Sequence, residues 1–209
     1  MALSDLYTNF QLLFRWLHVI AGIVWIGHLY FFNFVNVPFQ GTIGGDVKKA
    51  VNPQLLPRAL WWFRWGAMIT FLTGLVLFTQ LYMYAPGAGF GVTALFWTDQ
   101  GITARAIWIL IGMLFGTIMW FNVWFIIWPA QKKIISAVRD GVAADPKLGK
   151  RALLASRTNA YLSGPMLFGM LSPSHYGAIN MLTALVAIAL GLVAIWWAIK
   201  TAPTVGRSI

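Results

Sequence analysis

Hydrophobic residues fall into five long runs, separated by shorter segments where charged residues, Pro and Gly gather. The runs cover about 10–38, ending at Pro38; 59–84, closed by Ala85-Pro86-Gly87; 103–129, closed by Trp128-Pro129; 152–171; and 176–200. A helix needs roughly 20 mostly apolar residues to cross a bilayer, and tilt absorbs any excess. The pattern therefore predicts an all-α integral membrane bundle with five transmembrane helices. The first run is too long for a signal peptide and lacks a basic start and a small-residue cleavage site, so it is expected to be a mature span. There is no low-complexity segment and no convincing internal repeat, which leaves one domain over 1–209.

The polar segments orient the bundle. Lys48, Lys49 and Arg58 lie in 39–58; Lys132, Lys133, Arg139, Lys147, Lys150 and Arg151 lie in 130–151; Lys200 and Arg207 lie in the tail. Segments 85–102 and 172–176 carry neither Lys nor Arg. The positive-inside rule then puts the N-terminus outside and the C-terminus in the cytoplasm. The same clustering explains the net charge of +10 without nucleic acid as a partner. The expected location is a bacterial inner membrane, crossed several times.

Composition removes several chemistries. Only 10% of residues are charged and 59% are hydrophobic, against about 25% charged in a soluble domain. With no cysteine, disulfides, thiolate metal sites, iron–sulfur clusters and covalently attached c-type haem are excluded. There is no glutamate, and Asp5, Asp46, Asp99, Asp140 and Asp145 all fall at predicted helix ends or in loops. Proton and cation carriers place carboxylates at membrane depth, so an ion-coupled transporter is disfavoured.

Against this background the three histidines stand out. His18 and His28 lie in the first run, and His175 in the turn before the last. An ionisable side chain in a membrane is a functional candidate, and imidazole is a common ligand of haem iron and other transition metals. His18 and His28 are ten residues apart, roughly 15 Å along a helix and about 80° around it, so they do not ligate one iron together. His18 and His175 are expected in the same outer half, where both are candidate axial ligands, leaving His28 as an alternative or second-site ligand. Gly22, one turn after His18, allows a flat macrocycle to approach. Arg15 and Arg105 are candidate partners for propionates. A second constellation gathers at the cytoplasmic ends: Asn33, Asn36, Arg64, Asn122, Arg157 and Asn159, with His28 above it. It reads either as a hydrogen-bonded packing layer or as a pocket for a planar, anionic, hydrogen-bonding substrate.

Three stretches carry a family resemblance. They are Trp16-Leu-His-Val-Ile-Ala-Gly-Ile-Val-Trp-Ile-Gly27, Asn122-Val-Trp-Phe-Ile-Ile-Trp-Pro-Ala-Gln-Lys132, and Ser156-Arg-Thr-Asn159 through Pro165-Met-Leu-Phe168 to Ser174-His-Tyr176. Together they resemble the membrane domain of the bacterial cytochrome-linked urate hydroxylase (PuuD-type) family. The first alone is also similar to other small haem-binding membrane proteins, including HemJ-type protoporphyrinogen oxidases. The resemblance implies a haem-b membrane domain, with one haem or two, that passes electrons to a c-type cytochrome. In longer family members that cytochrome is a C-terminal domain. With no cysteine here, the acceptor is expected to be a separate c-type cytochrome or another membrane redox subunit. Three functions follow: a haem-b electron-transfer protein or redox subunit, a urate hydroxylase-like oxidoreductase, and a cofactor-free structural subunit of a membrane complex.

Overall fold

The computed structural model describes residues 5–207. Five long helices dominate: α1 Leu6–Thr42, α2 Gly45–Tyr82, α3 Ala104–Arg139, α4 Pro146–His175 and α5 Met181–Thr201. Four of them, α1, α2, α3 and α5, are long and apolar enough to cross a membrane. The exception, α4, opens with Lys147, Lys150 and Arg151 and carries Ser156, Asn159 and Ser163 along one face. It tolerates this polarity because it lies between other helices, packed against α3 and α5 and touching α1.

Helix ends follow the capping chemistry. Asp5 accepts from the Thr8 amide, Thr103 from Ala106 and Asp145 from Lys147. Asn180 and Thr183 form a reciprocal capping box at the start of α5. Each of the five carboxylates sits at a helix end or a hairpin tip. Between α2 and α3 run two small antiparallel hairpins, β1 Tyr84–Ala85 with β2 Gly89–Phe90, and β3 Trp97–Thr98 with β4 Gly101–Ile102. They define one end of the bundle, the hairpin end. The α1–α2 and α3–α4 connections define the other, the basic end.

Pro38 and Pro129 do not close the first and third helices. Both helices run on, to Thr42 and Arg139, through six-residue π-helical segments at Phe31–Asn36 and Asn122–Ile127. Proline has no N–H, and its ring clashes with the carbonyl four residues back. Here those carbonyls belong to Phe34 and Phe125, each inside a π segment. The wider turn absorbs the clash, and the amides of Val37 and Trp128 bond five residues back, to Phe32 and Val123.

The same comparison uncovers a repeat. Pro38-Phe-Gln40 followed by Arg58-Ala-Leu-Trp-Trp-Phe-Arg64 corresponds to Pro129-Ala-Gln131 followed by Arg151-Ala-Leu-Leu-Ala-Ser-Arg157. In both halves a helix passes through a π segment and a proline, turns, and returns on a helix bearing Arg-Ala-Leu-x-x-x-Arg. Ala59 and Ala152 are buried, Arg58 and Arg151 exposed, and Arg64 and Arg157 half-buried in both copies. The chain is laid out as two helical hairpins and a closing helix, with a short motif common to the two hairpins. Of the ten residues compared only six are identical, too few to stand out in reading along the sequence.

The helices meet at glycines. A Cβ on Gly169 would lie 2.8 Å from the Gly112 nitrogen, and one on Gly164 would lie 2.5 Å from the Gly191 oxygen. Small residues let transmembrane backbones approach in this way. Gly191→Val is expected to loosen α5 and cost about 1–3 kcal/mol by overpacking, read as thermal unfolding in detergent. Gly177→Ala, where a Cβ meets nothing within 4 Å, serves as the neutral control.

Candidate functional site

Near the hairpin end, α1 and α2 run antiparallel and bring His18 against Thr73 and Gly74. His18 Nδ1 lies 3.2 Å from Thr73 Oγ1. The Thr73 hydroxyl donates to the Ile69 carbonyl at 2.6 Å. Its single proton is thus used within its own helix, so it accepts from His18, which must carry its proton on Nδ1. Nε2 is left with its lone pair. Gly74 makes room for the ring, since a Cβ there would lie 3.0 Å from His18 Cε1. Gly22 also faces α2, with a virtual Cβ 4.0 Å from Thr70.

Arg15 and Arg105 come together around a residue that sequence reading missed. Tyr82, at the end of α2, is buried, with the guanidinium groups of Arg105 and Arg15 close enough to act on its hydroxyl electrostatically. Arg105 Nε is buried without a partner. No pattern around Tyr82 distinguishes it from the interfacial aromatics, so only tertiary structure identifies it. His175, by contrast, ends α4 and is exposed at the hairpin end. Nine residues separate Thr73 from Tyr82, so His18 lies about 13 Å deeper than that end. The structure does not bring His18 and His175 together. Among the described residues, no three His, Cys, Asp or Glu side chains gather as a metal cluster.

Toward the basic end lies the amide constellation. Asn33 and Asn159 are fully buried, Asn36 and Asn122 nearly so. Asn122 donates to Asn159 Oδ1 at 2.8 Å, and Asn159 donates to the Met119 carbonyl at 2.9 Å. Asn33 donates to the Leu29 carbonyl and to Ser156 Oγ, both at 2.9 Å. Tyr30 reaches Ser163 at 3.0 Å. Asn36 meets Gln40 at 3.4 Å, and Gln40 pairs with Asn52 through both amide groups at 2.8 and 3.1 Å. Much of this set therefore fastens helices together.

The remainder is not satisfied. Arg64 stacks 3.9 Å from the centroid of Trp128, with Trp124 at 5.9 Å. Its Nε, one Arg157 guanidinium nitrogen, Asn33 Oδ1 and the indole nitrogens of Trp25 and Trp120 are buried without partners. Four are donors and one is an acceptor. Unpaired buried polar atoms are costly and call for an explanation. Neither Trp25 nor Trp120 is among the candidate site residues of the sequence.

His28 sits apart. Its Nδ1 donates to the Val24 carbonyl at 2.7 Å, and a carbonyl only accepts, so Nε2 again keeps its lone pair. The ring lies in a groove between α1 and α2 rather than over the amide layer.

A family model described as urate oxidase N-terminal matches residues 40–90 and 87–202. The chain belongs to this family. The match takes in the amide constellation from Arg64 onward, both Arg-Ala-Leu-x-x-x-Arg copies and His175; residues 1–39, with His18 and His28, lie outside it. No curated protein and no solved structure gives a significant match to the chain.

The Asn122–Asn159 pair is the tie most open to measurement. Asn159→Leu should destabilise the protein by about 1–3 kcal/mol through a stranded buried amide. A double-mutant cycle with Asn122→Leu should return a coupling of about 0.6–1.7 kcal/mol, read as unfolding in detergent.

Proposed function

We propose that this chain is the membrane redox domain of a urate-oxidase-type oxidoreductase in the bacterial cytoplasmic membrane. In this reading all five helices cross the bilayer, with the N-terminus outside and the basic end in the cytoplasm. The basic end binds a planar anionic heterocycle of the urate kind. Near the hairpin end, His18 with Arg15 and Arg105 would hold a haem b, which would supply one-electron transfer toward a c-type cytochrome.

The set of unpartnered polar atoms carries the substrate reading. Arg64 and Arg157 occupy equivalent positions in the two hairpins, and no carboxylate of this chain is available at that depth to neutralise them. An anion with ring N–H groups and carbonyl oxygens complements this set: guanidinium and indole groups donate to its oxygens, and Asn33 Oδ1 accepts from a ring N–H. The stacked Trp128 holds the Arg64 guanidinium plane in place. Family membership supports the same substrate class.

The residues near the hairpin end fit the haem. His18 offers Nε2, fixed by Thr73 in the manner of a second-shell partner to a ligating histidine. Arg15, Tyr82 and Arg105 provide a cationic, hydrogen-bonding niche for propionates, with Arg105 Nε still unpaired. Bound there, haem b would supply a one-electron carrier between the substrate site and the outer acceptor. With His175 at the end of α4, His18 is the residue of this chain that would hold the iron.

Purified protein should show haem-b bands in a reduced-minus-oxidised spectrum, lost in His18→Ala. Thr73→Val should weaken haem retention by about 10–100-fold without unfolding the protein. A colourless preparation from haem-replete cells would overturn the redox reading and leave a structural subunit.

Urate should reduce the haem under anaerobic conditions. Arg64→Gln and Arg157→Gln should each raise the urate concentration needed for half-reduction by about 10–100-fold, the worth of a charge-assisted hydrogen bond. Haem that stays oxidised at saturating urate would sink the substrate assignment and leave the electron-transfer role standing.

A further inference from the structure

We infer that the groove around His28 is a binding site for the headgroup of a membrane-soluble quinol. The groove lies between α1 and α2, has a volume of about 510 Å³, and is walled by Phe31, Trp62 and Leu55, with Gly27 and Ala59 on its floor and Arg58 at its rim. It opens outward, with Gly27, Leu55 and Trp62 exposed. Trp62 and Tyr82 are twenty residues apart on α2, about 30 Å along the helix, which matches the thickness of the hydrocarbon core. The groove therefore sits at the boundary of hydrocarbon and headgroups on the basic side, where a lipid-borne ring enters sideways and its tail stays in the bilayer.

Three observations select the occupant. The Nε2 atom of His28 is an acceptor, because Nδ1–H is spent on Val24. Acyl chains offer it no proton, whereas the hydroxyl of a quinol donates to it directly. Arg58, at the rim, donates to ring oxygens on the opposite side. The floor is flat by composition: Gly27 lies mid-helix, and a Cβ there would meet nothing within 4 Å. Helix packing does not require glycine at this position, and glycine costs helix stability relative to alanine. An open slot for a planar ring is what it provides.

The site is separate from the His18 niche and from the unpartnered atoms at Arg64 and Arg157. In the redox reading it names a second, lipid-soluble electron partner, yet it stands on binding alone. The test uses the full chain in nanodiscs of zwitterionic lipid, with anaerobic decylubiquinol and decylubiquinone as probes. The quinol is expected to bind at least tenfold tighter than the quinone. His28→Ala is expected to remove that preference, and Arg58→Gln to weaken both forms severalfold. Gly27→Leu is expected to abolish binding while raising the thermal midpoint, a pairing of effects that misfolding does not produce. His18→Ala should leave quinol binding unchanged even if haem is lost, which separates failure of this site from failure of the redox reading. Equal binding to wild type and Gly27→Leu would overturn the proposal. So would binding that depends on Arg58 alone and is displaced by phosphatidylglycerol, which would make the groove an anionic lipid site.

Discussion

The polar seam along α4 is the constraint on which the rest of the bundle depends. Ser156, Asn159 and Ser163 recur at a spacing of three and four residues, so they line one face of the helix. Each takes a partner from another helix: Asn33 and Tyr30 from α1, Asn122 from α3. In hydrocarbon an unpaired amide has no water to turn to, so these bonds fix which helices touch α4 and at what height. Association of apolar helices in lipid lacks a hydrophobic driving force between them. Register must come from such ties and from the glycine contacts at Gly112–Gly169 and Gly164–Gly191. The composition of α4 follows: it is the least apolar of the five helices because its polar face is spent inside the protein.

The two π segments make that seam possible. A regular helix places a side chain every 100°, and proline after it would normally end or kink the run. By widening before Pro38 and Pro129, α1 and α3 stay continuous and turn Asn33 and Asn122 toward α4. Both fastening amides donate into carbonyls just ahead of a π segment, Asn33 into Leu29 and Asn159 into Met119. Such wide turns are frequent at functional sites. Here they bracket the very region that holds the unpartnered Arg64, Arg157 and Asn33 atoms.

What could be read from the chain alone follows from what each signal depends on. Five long helices, and the gathering of basic residues at one end, are local properties of composition and were legible. The amide set toward the basic end was legible as a group, because amides and arginines within long apolar runs are rare enough to notice. Its division into spent and unspent atoms was not, since that depends on Ser156, Trp25 and Trp120 being brought beside it. The proline rule failed at Pro38 and Pro129 because it assumes a fixed helical pitch. The pairing of His18 with His175 rested on topology alone, which does not resolve depth: His175 ends α4, whereas His18 packs against Thr73. Thr73, the residue that settles the protonation of His18, carries no sequence signal at all.

The likeness between the two hairpins makes the difference in their surroundings informative. Arg64 and Arg157 begin as equivalents, each six residues after the exposed arginine of its hairpin. Arg64 is clasped by Trp124 and Trp128 of the other hairpin, and the Trp124 indole in turn donates to the Arg64 carbonyl at 3.2 Å. No such aromatic clasp is found for Arg157 among the described residues, where Tyr161, one turn on, is a neighbour that acts on its charge. One guanidinium is thus held rigidly in plane while its counterpart retains freedom to adjust. A site made from two copies of one motif would recognise a symmetric ligand; if the proposed substrate reading holds, one clasped and one unclasped cation suit an asymmetric planar anion. In that reading the aromatic residues that distinguish the two hairpins contribute to ligand recognition alongside the charges they hold.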